Sequence, residues 1–316
     1  MLPRHLFAAL LCLCAGHAHA AYPERPVKVI VPFSPGAAAD AVMRPLAAAL
    51  SAKWGQQVLV ENRPGLTVGP QVAAAAPADG YTLLFGAAST FVTTPLTTAK
   101  LPYNVQRDFV PVVRVATLPT VLTANPALGL RTLKDLIAQV RARPDALNYA
   151  SSGRGAPNHL AMEHLLALTG GDMVNVPYKG AAPAVVDLVS NQVQVAFMAV
   201  PSVLPHLRSG RLVALAVGGQ RRSPLLPDVP TVAETVPGFE YFAWYGLFAP
   251  AGTPAGVIDK VYADVVQALG TAQMQRILSS EGSEAAPATG AELARMIDEE
   301  TQLWKGIIKQ RKLQLD

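Results

Sequence analysis

The sequence predicts an α/β protein of two similar lobes with a ligand cleft between them, and three observations predict it. Short β-rich apolar runs alternate with stretches of helical spacing along nearly the whole chain. The alternation completes one βαβαβ set, then restarts and runs through a second of similar size. A chain of 316 residues also exceeds what one hydrophobic core usually supports.

Taken in order, Lys28 to Phe33 is the first expected strand. A helix from Ala39 to Trp54 follows, with Val42, Leu46, Ala49 and Leu50 at helical spacing and a stop at Gly55. Val58 to Glu61 and Thr82 to Gly86 are strands, with a short helix, Val72 to Ala76, between them. Val121 to Ala124 leads into the second set. There Thr132 caps a helix from Leu133 to Arg143 that Pro144 stops, and Leu147 to Ser151 is a strand. His159 to Thr169 is a helix, Met173 to Val176 a strand, Ala181 to Ser190 a helix and Val193 to Val200 a strand. Leu212 to Val217 adds a strand, and Pro224, Pro227 and Pro230 mark an extended connection. Tyr241 to Ala249 is an aromatic strand, and helices at Thr253 to Leu269, Ala272 to Leu278 and Ala291 to Gln310 finish the chain. Elements left over after two complete sets mean repeated crossing between lobes, expected near Val115 to Thr123, Arg221 to Pro230 and Tyr241 to Ala249. Residues 21–121 with 231–316 are then one lobe and residues 122–230 the other.

Residues 1–20 read as a cleavable signal peptide. Arg4 precedes an apolar run from Leu6 through Ala15, and Ala18-His19-Ala20 supplies the small-x-small pattern of the cleavage site. A lipid anchor at Cys12 or Cys14 is the rival reading, but each follows a leucine rather than a small residue. Both cysteines leave with the signal, so the mature chain has no thiol for a disulfide, a metal or a nucleophile. Losing Arg4 lowers the formal net charge from +4 to +3. The cations are scattered and aromatics sparse, which argues against a nucleic-acid partner.

Four Gly-, Ser- and Thr-rich turns follow strands and lead into helices. The first, Phe33-Ser34-Pro35-Gly36-Ala37-Ala38 with Asp40, suits an anion cradle: Gly36 admits a close approach, and the helix behind it presents unpaired N–H groups. The alternative is a tight turn with Asp40 as its local cap. The turn lacks both nucleotide-phosphate signatures, so a carboxylate is the expected anion. Ala88-Ser89-Thr90, Ser151-Ser152-Gly153 with Asn158 and His159, and Tyr178-Lys179-Gly180 make the other three. Catalysis finds less support. His159 and His164 lie about 140° apart around a helix and do not share a metal. No Gly-x-Ser-x-Gly elbow is present, and Asp40 and Asp187 suit caps or ion pairs better than general bases. No enzyme activity, cofactor or metal is expected.

Several blocks together resemble one family. They are Tyr22-Pro23-x-Arg25-Pro26, Val31-Pro32-Phe33-x-Pro35-Gly36, Val60-Glu61-Asn62-Arg63-Pro64-Gly65, Asp79-Gly80-Tyr81-Thr82, Asn148-Tyr149-Ala150-Ser151-Ser152-Gly153, Val176-Pro177-Tyr178-Lys179-Gly180, Asp228-Val229-Pro230-Thr231 and Gly246-Leu247-Phe248-Ala249-Pro250. In this order they resemble the Bug-type substrate-binding proteins of tripartite tricarboxylate transporters. The resemblance implies a monomeric periplasmic protein of the two-lobed type II periplasmic-binding-protein fold. Such a protein closes around a small carboxylate and delivers it to membrane permease subunits. A sensor serving a signalling partner would use the same cleft. The resemblance also implies that the turns at Phe33 to Asp40, Ala87 to Thr90, Ser151 to His159 and Tyr178 line the cleft. Where relatives commonly carry Phe-Asp-Asn-x-Pro, this chain has Phe197-Met198-Ala199-Val200-Pro201. An ammonium-bearing ligand would lack its counter-ion, so the expected ligand is an acid with an apolar or weakly polar far end. Met198 is then a soft wall of the cleft, unless positions 198 and 199 face away from it.

Overall fold

The structure is a computed structural model that describes residues 22–315, so the expected signal peptide lies outside the described residues. β1 (Val27–Val31) is buried at four of its five positions, as befits a parallel strand covered on both faces. It pairs in parallel with β2 (Val58–Asn62) and β3 (Thr82–Ala87). β10 (Ala243–Pro250) runs antiparallel between β3 and β4 (Phe109–Leu118), and β11 (Glu284–Thr289) closes the edge antiparallel to β4. The first sheet therefore reads β11-β4-β10-β3-β1-β2.

The second sheet takes β5 (Thr120–Ala124), β6 (Asn148–Ser151), β7 (Val174–Pro177), β8 (Val195–Ala199) and β9 (Val213–Val217), in the order β7-β6-β8-β5-β9. β6 is parallel to β7 and β8, and β5 is antiparallel to β8 and β9. Pro119 alone separates β4 from β5. The carboxyl ends of β1, β2, β3 and β4 therefore face those of β6, β7, β8 and β9 across the junction.

Helices cover both sheets on both sides. α1 (Ala38–Trp54), α9 (Ala255–Leu269) and α10 (Ala272–Ser280) pack on one face of the first sheet through Val42, Leu46, Val261, Val265 and Leu278. α7 (Ala181–Val189) and α8 (Val200–Arg208) cover one face of the second, over Val121, Ala150 and Ala196. The remaining faces share one apolar cluster. It runs from Leu84, Phe91 and Phe248 of the first sheet's side to Tyr149 and Phe197 of the second. Beside it lie α2 (Val68–Ala74), α5 (Leu133–Ala142), α6 (Pro157–Thr169) and α11 (Gly290–Gln310). Two short helices, α3 (Thr94–Thr97) and α4 (Val105–Asp108), fill the connection from β3 to β4.

The crossings differ from the sequence reading in one place. Arg221 to Pro230 stays with the second sheet: the Val217 N–H donates to Pro230 O and the Val232 N–H to Val217 O, a short parallel bridge alongside β9. The chain returns to the first sheet only after that bridge. It is stitched to the other crossing, because the Gly218 N–H donates to Thr120 O, the Tyr241 N–H to Gly218 O and the Thr120 hydroxyl to Tyr241 O, at 2.9, 2.8 and 2.7 Å. Gly218 has to be glycine here. An added Cβ would lie 2.3 Å from both Thr120 Oγ1 and Tyr241 O.

Candidate functional site

The first turn is tied from within. Beyond β1, the buried Asp40 accepts the Gly36 N–H at 2.9 Å, Arg44 Nε at 2.7 Å and Asn62 Nδ2 at 2.9 Å. Asn62 also donates to Phe33 O, so the end of β2 holds the loop that follows β1. Ser34, Pro35 and Gly36 stay exposed above this lock, and α1 starts after Ala37 with no side-chain cap. Asp40 thus holds the turn rather than capping the helix, and the first N–H groups of α1 are left without a side-chain partner. Burial alone would raise the Asp40 carboxyl, but Arg44, the Gly36 N–H and Asn62 outweigh it and hold it below its usual value. A carboxyl depressed in the folded state adds stability that is present above its unfolded value, about 3.9, and lost as pH falls through the lower folded value. Asp40→Asn is expected to cost about 1–3 kcal/mol at neutral pH. Urea unfolding should show the gap to wild type narrowing below about pH 4.

Beyond β3, Ala88 and Thr90 are buried and Ser89 is half-buried. A π-helical turn, Ser89–Thr93, begins here, again without a side-chain cap. Such turns recur at functional sites. The Thr90 hydroxyl is fully buried and has no hydrogen-bond partner among the described residues.

The β6 to α6 loop is likewise locked. Ser151 Oγ donates to Gly153 O at 3.1 Å, and Asn158 Oδ1 accepts both the Ser152 N–H and its hydroxyl, at 3.1 and 2.9 Å. Asn158 in turn donates to Phe197 O. His159 Nδ1 accepts the Gly155 N–H at 2.9 Å, and burial, the larger influence, keeps the imidazole below its usual pKa against the pull of Glu163. Gly155 contacts Thr97 of α3, which joins this loop to the first sheet's side. The Tyr178 N–H donates to Ser151 O, and its hydroxyl donates to Asp187 Oδ2 at 2.7 Å. Burial and then Asp187 push that phenol up to about 12.

Met198 is buried and packs in the cluster with Val121, Ala150 and Val200. Ala199, half-buried, is the uncapped start of α8. His164 is a packing residue, stacked on Phe239 with ring centroids 5.3 Å apart. Sequence reasoning missed Asn62, Arg44, Asp187 and Thr97 as loop holders. Asn62 stood within a quoted block, but its partner lies 22 positions earlier and left no local signal.

Helix capping divides the molecule by location. Every helix that starts where the two sheets face each other, after Ala37, Thr67, Ala88, Ala156, Gly180 and Ala199, lacks a side-chain cap. Helical starts elsewhere are capped by the side chains of Asn104, Asn125, Thr132, Thr271 and Thr289, with two exceptions: Pro254 ahead of α9, and Thr93 ahead of α3, which continues directly from the π-helical turn.

Residues 42–313 match the tripartite tricarboxylate transporter family receptor, TctC. The chain belongs to that receptor family. The receptor is 37% identical over 309 residues to Protein BugT of Bordetella pertussis, covering 96% of this chain and 95% of BugT. Its fold superposes on R. palustris Rpa4515 with adipate at a TM-score of 0.79 and 33% identity, covering 91% of the receptor and 97% of that protein. It also superposes on MatC from Rhodopseudomonas palustris with bound malate, at a TM-score of 0.74 and 32% identity, over 91% and 100% of the two chains. The expected family and the two-lobed α/β fold of its periplasmic binding proteins are both met in the receptor.

Proposed function

We propose that the receptor works in the periplasm, captures a small carboxylate between its lobes on main-chain N–H groups, and hands it to a membrane permease. The capping pattern carries this reading. Withholding side-chain caps from the six helix starts at the facing ends leaves donors and positive helix ends for an anion. The orphaned Thr90 hydroxyl adds a buried donor beside them. The adipate and malate held by two relatives support the same ligand class.

In this reading the lobes follow the division drawn from the sequence, with the first junction moved to Pro119 and the second to beyond Val232. The ligand lies among Ser34 to Ala38, Ala88 to Thr90, Ser151 to Gly153 and Tyr178. Both acids beside these turns are committed, Asp40 to Arg44 and Asn62, and Asp187 to Tyr178. A ligand ammonium would therefore find no free carboxylate among them, and an acid without an ammonium group is favoured. Closure adds contacts to both lobes only when ligand is present, which shifts the population to the closed form.

A thermal-shift screen tests this. A carboxylate at about 100 times its Kd should add about 2.7 kcal/mol and raise the melting midpoint by several degrees. Dicarboxylates and aromatic acids are expected to act, and amino acids and sugars not. Stabilisation by amino acids instead would overturn the assignment.

A further inference from the structure

A cavity of about 300 Å³ opens between α6, α11 and the segment that enters β10, and none of its lining residues belongs to the facing turns. Phe242, Met296 and Leu303 form apolar wall, and the carboxylates of Glu240, Glu299 and Glu300 surround them. Glu300 is set by two indoles: Trp244 Nε1 donates to Oε2 and Trp304 Nε1 to Oε1, both at 3.0 Å. Among the described residues Glu300 has no ion-pair partner. Glu240 accepts Gln220 Nε2 at 2.9 Å, and Arg114, whose charge favours the Glu240 carboxylate, makes no ion pair with it and donates to Ala286 O and Met296 Sδ. Glu299 has only a loose pair with exposed Arg295, at 3.9 Å.

His164 also lines the cavity. It is 6% exposed, and its Nδ1 is buried without a hydrogen-bond partner among the described residues. Burial lowers its pKa, which favours the neutral ring and leaves an imidazole nitrogen able to accept. The carboxyls of Glu240, Glu299 and Glu300 and the His164 ring line the cavity with the Tyr241 hydroxyl; burial raises the carboxyls of Glu240 and Glu300, and a cation beside them would favour their charged forms. The cavity's volume lies at the small end of ligand pockets, which run from about 300 Å³ upward. An occupant must donate hydrogen bonds, carry positive charge and offer a short apolar stem to Phe242, Met296 and Leu303.

We propose that this cavity is a second binding site, for a free small organic cation such as a primary ammonium or guanidinium on a stem of a few carbons. The site shares no lining residue with the turns assigned to the carboxylate, and its occupancy does not depend on that assignment.

The probe is n-butylammonium, with butan-1-ol as its neutral analogue and butyrate as the anion. Trp244 and Trp304 are two of the chain's three tryptophans, and Trp54 is committed elsewhere, to Asp264. Intrinsic fluorescence therefore reports on this cavity. A saturable change with the ammonium alone is expected, at a Kd of about 1 mM or below. Glu300→Gln should weaken it about tenfold. That change also places an amide against the indole N–H groups, so Glu240→Gln at the rim, which leaves the tryptophan pair intact, is the second variant and should weaken binding severalfold. An equal response to butan-1-ol, no saturable response to the ammonium, or unchanged affinity in both variants overturns the site.

Discussion

Replacing Arg311 by Met is expected to lower the free energy of unfolding by about 3–5 kcal/mol, the usual cost of stripping one partner from a buried ion pair. α11 starts against β4 and crosses to the second sheet's side, where Arg311 Nε meets Glu163 Oε2 at 2.7 Å. The Glu163 side chain is 5% exposed, and its other oxygen accepts the Tyr149 hydroxyl. Without the guanidinium, a carboxylate stays buried with only neutral donors. The second Arg311 contact, to the half-exposed Asp172, is screened by solvent, so Asp172→Asn should cost less than about 1 kcal/mol. Urea denaturation separates the two. The decisive comparison is Glu163→Gln combined with Arg311→Met, which removes both charges and should recover much of the loss. Equal destabilisation by Arg311→Met and by the double variant would show that packing, not charge, dominates.

The second large effect falls on ligand binding. Gly155 has φ +68°, and a Cβ there would lie 2.4 Å from Thr97 Cγ2 across the seam between the sheets. Gly155→Ala is expected to cost about 1–2 kcal/mol for the left-handed backbone alone. It should also cost about tenfold in affinity for whichever carboxylate best stabilises the wild type, because the two sides can no longer meet. Thr97→Ser deletes the clashing methyl. The double variant is expected to regain most of the affinity while keeping the backbone strain, so calorimetric titration and melting should part company. Affinity that stays low in the double variant would mean that the loop conformation, not the contact, controls binding.

Most elements were legible because their signals are local. Thr132 caps its helix through a reciprocal bond with Asp135, and Gly55 and Gly170 stop theirs in the left-handed conformation. β4 escaped because Pro111 and Arg114 interrupt its apolar run, whereas in the fold Arg114 donates to Ala286 O where the β11 pairing slips. α8 escaped because Pro201 and Pro205 read as breakers, yet Pro201 sits in its first turn, where the missing N–H costs nothing. In these turns, the sequence located the loops but not the work of each side chain. Ser152, Asn158, His159 and Tyr178 spend their polar atoms holding loops. That assignment depends on spatial neighbours such as Asn62 and Asp187, which no local spacing announces.

The stitching of Thr120, Gly218 and Tyr241 bears on how the proposed closure would move. Two crossing strands left separate could bend, slide or twist independently, and the lobes would sample many relative poses. Bonded side by side, they behave as one leaf with a single soft axis across it, and sliding of one past the other would break three hydrogen bonds. The motion is then reduced to one coordinate, an angle. A docking partner would need to measure only that angle to distinguish a loaded receptor from an empty one.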